Sequence, residues 1–270
     1  MYRQHWGLSS SPFQRSVAAQ RLLNSPPHDE SLARLHFLVE NGWRLGLLVG
    51  PPGSGKSQVL AVFGEALRRR GVEVVRINLR GLDTRRFLWE VAAGLKTNPA
   101  PDDSTFTLWR RIDDQLIANR YQQLTSVFLF DDAFRAEGLL LDQILRVMAC
   151  DPSSEARVTV VMSGLEAQMP LLSHEMLEAA ELRVDLEPWD QQQLNQYVAD
   201  EISHAGGNRE TFTAQALTRL FQLSGGLPRR VNHLAELSLL AGAGQGLSHI
   251  EAETLETVYE ELGVELLATK

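Results

Sequence analysis

A single cysteine, Cys150, in 270 residues excludes an internal disulfide and a cysteine-based metal site, and fits a reducing compartment. The seven histidines show no H-E-x-x-H or other metal-ligand spacing, so packed or solvated rings are the default. No uninterrupted apolar run approaches the roughly 18 residues that a bilayer-spanning helix requires. The opening Met1-Tyr-Arg-Gln-His-Trp-Gly7 lacks the apolar stretch of a signal peptide, and a cytoplasmic location is expected. Basic excess is lacking as well: 26 Lys and Arg against 34 Asp and Glu leave a net charge of −8 and a pI near 5.4. That balance disfavours broad electrostatic binding to nucleic acid or to an anionic membrane. The one basic cluster, Arg68-Arg69-Arg70, ends a predicted helix before Gly71, where positive charge suits the helix dipole. Internal repeats and low-complexity tracts are missing too.

What is present is an ordinary globular composition, 44% hydrophobic and 22% charged, long enough for one large domain or two modest ones. Residues 1–28 read as irregular, with turn chemistry at Ser9–Pro12 and Ser25–Pro27, and a helix is predicted from Asp29 to Asn41. Short apolar strands are predicted at 44–49, 72–78, 126–130, 158–162 and 182–186, alternating with helical spacing at 58–70, 83–96, 104–123 and 137–149. Such alternation predicts an α/β fold, a doubly wound and mainly parallel sheet whose ligands bind beyond the carboxyl ends of the strands. Beyond Pro188 only helical patterns follow, near 190–205, 213–223, 228–241 and 248–262. The expected domains are therefore 1–188, with the sheet and the amino-terminal segment, and 189–270, an all-helical lid.

Gly50-Pro51-Pro52-Gly53-Ser54-Gly55-Lys56-Ser57 fits G-x-x-x-x-G-K-[ST] at every constrained position and lies between a predicted strand and a helix that opens with Gln58. Glycines let successive backbone N–H groups turn toward phosphate oxygens. Lys56 supplies a cation for the β- and γ-phosphates, and Ser57 a hydroxyl for Mg²⁺. The expected ligands are ATP and Mg²⁺, held by residues 50–58. Val127-Phe-Leu-Phe-Asp131-Asp132 describes a buried strand that delivers Asp131 to the metal and Asp132 to the attacking water. Ser163, at the end of the fourth strand, is a candidate sensor of the γ-phosphate, or equally a turn serine before Gly164. In Ser224-Gly-Gly-Leu-Pro-Arg-Arg-Val-Asn232 a Pro at a first helical position places Arg229 and Arg230 where the dipole disfavours positive charge, which suggests an anionic partner.

Together these residues resemble an AAA+ P-loop ATPase, and specifically the ATPase module of the general secretion pathway protein A (ExeA) type. The likeness extends to the opening Met1-Tyr2 with Gly7-Leu8 and Pro12-Phe13, to Val161-Met-Ser-Gly-Leu-Glu166, to Leu186-Glu-Pro-Trp189 and to Gly225-Gly-Leu-Pro-Arg-Arg-Val-Asn232. The resemblance implies a catalytic acid at Asp132, where the family has Glu, and a sensor arginine at Arg229 that reaches the phosphates from the lid. Where the family usually has Gln-Arg, this chain has Glu178-Ala179, which leaves Arg183 or Arg157 as trans-acting candidates. An adenine-covering amino-terminal segment with Tyr2, Phe13 or His28 near the base is expected. The implied function is ATP hydrolysis coupled to action on a partner protein in secretion or envelope machinery, with homo-oligomers an option and the membrane anchor of some members absent here. The alternatives are a nucleotide-dependent DNA-binding regulator of the transposition-ATPase type, and a nucleotide switch with little turnover.

Overall fold

A computed structural model describes residues 2–13, 25–150, 153 and 157–262. Its α-helices, in chain order, are α1 (Tyr2–His5), α2 (Pro26–Glu40), α3 (Lys56–Arg69), α4 (Thr84–Gly94), α5 (Thr105–Tyr121) and α6 (Gly138–Ala149), then α7 (His174–Glu178), α8 (Gln191–His204), α9 (Ala214–Ser224), α10 (Pro228–Gln245) and α11 (Ala252–Glu261). The strands are β1 (Leu45–Val49), β2 (Glu73–Asn78), β3 (Ser126–Asp131), β4 (Val158–Gly164) and β5 (Leu182–Asp185). By their contacts the residues form two compact units, a helical one of Met1–Asp29, Gly53–Gly55 and Glu187–Lys270, and a sheet unit of Glu30–Pro52 and Lys56–Leu186.

In the sheet unit all neighbouring strands run parallel in the order β2-β3-β4-β1-β5. β1 and β3 are buried at every position, which is why they read as unbroken apolar runs rather than alternating ones. One face of the sheet, with Leu47, Val75, Phe128, Phe130 and Met162, shares a core with α4, α5 and α6. Gly46 has a space requirement: a Cβ there would lie 2.7 Å from Leu38 Cδ2 of α2, so the buried Leu38 side chain would have to shift. Helix starts follow local chemistry, since the Asp83 carboxylate accepts from Arg86 N–H at 2.7 Å and the Ser104 hydroxyl from Thr107 N–H at 3.1 Å. The arginine cluster at the end of α3 is used in surface ion pairs, Arg68 with Glu65 and Arg70 with Glu40 of α2.

In the helical unit Trp6, Leu8 and Phe13 are buried in one core with Trp189, Leu220, Leu239 and Ile250. The Trp6 indole N–H donates to Leu239 O at 2.8 Å, and Ser9 N–H to Ala205 O at 2.7 Å. The described part of the amino-terminal segment thus packs with the carboxy-terminal helices, and residues 14–24 lie outside the described residues. Two sequence expectations change here. The segment is not wholly irregular, because Tyr2–His5 is helical, and the next helix starts at Pro26 rather than Asp29. The Ser-Pro-Pro run is a helix start, with Ser25 O accepting from His28 N–H and Asp29 N–H, both at 3.0 Å, and proline tolerated in a first turn whose N–H has no intrahelical partner.

Candidate functional site

In the sheet unit the loop leaves the carboxyl end of β1 and re-enters at Lys56, the first residue of α3. Gly50 N–H donates to Gly164 O at 3.3 Å, tying the start of the loop to the end of β4. Lys56 is buried, and its ammonium donates to Gly50 O at 2.8 Å and Pro51 O at 2.9 Å. Ser57 stands exposed and Gln58 half-buried in the first turn of α3, where unpaired N–H groups and the helix dipole favour an anion.

The acids converge beside it. Asp131 ends β3 and is buried; Ser163, on β4, donates its hydroxyl proton to Asp131 Oδ1 at 2.5 Å. Asp132 N–H also points at this pair, 3.1 Å from Asp131 Oδ1 and 3.3 Å from Ser163 Oγ. Because β4 lies between β1 and β3, the succession Gly50–Gly164–Ser163–Asp131 joins the loop to the metal-side acid across neighbouring strands. Ser163, expected to sense the γ-phosphate, here orients the Asp131 carboxylate. Asp132 has φ 53°, a left-handed conformation that Asp tolerates better than most residues, and Asn78 Nδ2 donates to its Oδ2 at 3.2 Å. Sequence reasoning missed Asn78. Its signal was a polar residue ending the strand that pairs with the acid strand, in register with Asp131.

Within the helical unit lie Gly53–Gly55, the middle of the loop. Arg229, in the first turn of α10, donates its backbone N–H to Gly53 O at 3.2 Å, and its exposed guanidinium has no partner among the described residues. His28 is fully buried: Nδ1 lies 2.6 Å from Ser25 Oγ and Nε2 3.1 Å from Ser54 O. Burial pushes its pKa down to about 4, only partly opposed by the bond to Ser54. Gly55 has φ +106°, and a Cβ there would lie 2.5 Å from His28 Nε2, so only glycine fits. Tyr2 and Phe13, expected near a base, have other partners. The Tyr2 hydroxyl bonds Ser11 and Glu236, and Phe13 is buried 6.4 Å from the Tyr197 ring centre.

These groups fit a nucleoside triphosphate with a hard divalent cation. The loop offers backbone amides at a glycine cradle, a buried Ser54 hydroxyl with no hydrogen-bond partner among the described residues, and the Lys56 cation. Ser57 and Asp131 are oxygen donors of the kind Mg²⁺ takes, and no cluster of three or more His, Cys, Asp or Glu occurs among the described residues. The cation would therefore draw most ligands from phosphate and water, as is usual for Mg²⁺. Of the trans-acting candidates, Arg183 is engaged by Asp185 and Glu166, hydrogen bonds that raise its pKa. Arg157 precedes β4 and lines a cavity of about 390 Å³ with Leu67, Arg70 and Thr125 at the amino ends of the strands, opposite the loop. Glu178 and Ala179 end α7.

Residues 39–172 match the family model described as an AAA domain. Over 98% of its length the chain is 28% identical to general secretion pathway protein A of Aeromonas hydrophila, and it spans 49% of that relative. Among solved structures it is similar to Cdc6p from Pyrobaculum aerophilum, with a TM-score of 0.72, 19% identity, and 88% of this chain and 68% of that one covered. The Orc1 protein of Aeropyrum pernix, solved in complex with DNA, gives 0.62 at 17% identity, covering 87% and 65%. The RuvB Holliday junction branch migration motor of Thermotoga maritima gives 0.59 at 14% identity, covering 88% and 69%. At these identities the structural likenesses bear on the fold, which is the α/β P-loop fold of AAA+ type. Among the described residues no helix is long and apolar enough to cross a membrane.

Proposed function

We propose that this AAA+ module, resembling general secretion pathway protein A over nearly its whole length, binds Mg–ATP at residues 50–58 and hydrolyses it. The observation that supports this most is the succession from Gly50 through Gly164 and Ser163 to Asp131, hydrogen-bonded at Gly50–Gly164 and at Ser163–Asp131, which links the loop after β1 to the carboxylate ending β3 across the intervening β4. Lys56 and the loop amides would neutralise the phosphates, Ser57 and Asp131 would hold Mg²⁺, and Asp132 would orient the attacking water. Bound Mg²⁺ would supply charge neutralisation at the β- and γ-phosphates. Arg229, whose guanidinium has no partner among the described residues, is assigned to sense the nucleotide, and Ser163 acts through Asp131. The functional division is proposed as an ATPase domain over 1–188 and a helical lid over 189–270, although by their contacts Met1–Asp29 and Gly53–Gly55 group with the helical unit.

The work done with ATP is proposed to be remodelling of a partner protein in secretion or envelope machinery, performed from the cytoplasm by an oligomer of this chain. That reading rests on the name of the relative, of which this chain spans 49%. Phosphate release in Mg–ATP tests the core of the proposal. Asp131→Ala should lose Mg²⁺-dependent binding and turnover together, whereas an unimpaired Asp131→Ala protein would refute the metal assignment. One observation favours the slow-switch alternative: Asn78 already occupies Oδ2 of Asp132, an acid one methylene shorter than Glu. Turnover no faster than nucleotide exchange would support it. The DNA-regulator alternative meets a net charge of −8, and a salt-sensitive shift of duplex DNA would revive it.

A further inference from the structure

Three hydrogen bonds run from Trp189 to the middle of the phosphate loop, and their direction is forced. The Trp189 indole N–H can only donate, and it lies 3.0 Å from Ser25 Oγ. The Ser54 carbonyl can only accept, so the proton at the 3.1 Å contact sits on His28 Nε2. Nδ1 of the neutral ring then accepts from the Ser25 hydroxyl at 2.6 Å. Trp189, Ser25, His28 and Ser54 are all buried, so the ring has one tautomer and one orientation. The neighbouring carbonyl is held as well, because Gly53 O accepts the Arg229 backbone N–H at 3.2 Å. These two holds are themselves joined, since Trp189 N–H donates to Gly226 O at 2.9 Å, three residues before Arg229.

The consequence lies in peptide geometry. In a planar trans peptide the C=O and the following N–H point in opposite directions, and no cis bond occurs among the described residues. Anchoring Ser54 O on His28 therefore aims Gly55 N–H away from the ring, and anchoring Gly53 O on Arg229 does the same for Ser54 N–H. We infer that His28 is a positioning residue for the phosphate cradle, acting from behind the loop through the Ser54 carbonyl to fix the Gly55 amide for a polyphosphate. Its ring nitrogens are both engaged, so it serves the phosphates rather than the base. The inference rests on the phosphate-loop reading of Gly50–Ser57 and adds to it a residue 22 positions before the loop.

The test is calorimetric titration of the full chain with Mg–ATP and, separately, with inorganic triphosphate and Mg²⁺. His28→Phe keeps a ring but donates no proton to Ser54 O. It should weaken both ligands by the same factor, on the order of tenfold, as expected for a lost hydrogen bond with a stranded buried carbonyl. His28→Gln, whose amide nitrogen can stand in for Nε2, should stay within about threefold of wild type on the same scale. Hydrogen exchange of the 53–57 segment should quicken in His28→Phe and not in His28→Gln, with no nucleotide present. If His28→Phe does not fold, Ser25→Ala carries the test, since it removes the donor to Nδ1 and should weaken both ligands in the same ratio. Weakened ATP with unchanged triphosphate would make His28 a base contact and overturn the inference. Equal losses in the Gln and Phe proteins would reduce it to packing, and unchanged affinity in both would also overturn it. A wild-type chain that binds neither ligand would instead contradict the phosphate-loop reading itself.

Discussion

Asp132 and His28 are proposed to contribute in opposite ways, the first through chemistry and the second by remaining neutral. Asp132→Asn keeps the size and the bond geometry available to Asn78, so Mg–ATP affinity should stay within about twofold while turnover falls by roughly 10²-fold, the usual weight of a general base. Steady-state phosphate release beside a binding isotherm checks this, and wild-type turnover in the variant would place the base elsewhere. His28 is held neutral, its pKa pushed down to about 4 by burial. Between the ordinary value of about 6.5 and that folded value the unfolded chain binds a proton that the folded chain does not. The stability contributed is therefore complete above about pH 6.5 and is lost as pH falls through about 4, a loss on the order of 2 kcal/mol near pH 4.5. Urea unfolding at pH 7.5 and pH 4.5 should show a larger drop for wild type than for His28→Gln, and equal drops would contradict the assignment. At this scale the positions of Lys56 and Ser57 at the start of α3 and of Asp131 at the end of β3 were legible, because the motif spacing and the apolar runs mark those boundaries directly. His28 and Asn78 were not, because each works through a partner distant in sequence: Ser54 is 26 residues on, and Asp132 is 54.

Elements begin and end where single residues dictate. α8 opens with a reciprocal cap, the Asp190 carboxylate accepting Gln193 N–H at 2.8 Å and the Gln193 side chain accepting Asp190 N–H at 3.0 Å. Asp190→Ala should cost about 1 kcal/mol. The turn before α10 is far less tolerant. Gly226 has φ +68°, and a Cβ there would lie 2.0 Å from Trp189 O, so Gly226→Ala should destabilise by roughly 2–4 kcal/mol. Chemical denaturation of the two variants side by side gives the comparison, and a Gly226→Ala loss no larger than that of Asp190→Ala would contradict the crowding. All five strands were readable in sequence because buried parallel strands are short apolar runs between helical periods. The start of α2 was not, since Ser-Pro-Pro is compatible with a turn and with a helix N-terminus, and the choice depends on Ser25, which also accepts from Trp189, 164 residues away.

On the scale of the whole molecule, the sequence announced a parallel sheet followed by helices, and both are there. It did not announce that Trp6, Leu8 and Phe13 share a core with helices that begin at Gln191, because hydrophobic pattern shows which residues are buried but not what covers them. Nor did it show that Gly53–Gly55 count by their contacts with the helical unit while Lys56 and Asp131 count with the sheet unit. The loop's chemistry is nonetheless the central claim, and it concerns one ligand. Calorimetric titration of Mg–ATP into the wild-type chain and into Lys56→Ala tests it most directly. The account predicts saturable binding by wild type, and a loss on the order of a hundredfold when the ammonium and its charge-assisted bonds to phosphate are removed. Equal affinity in the two proteins would contradict it.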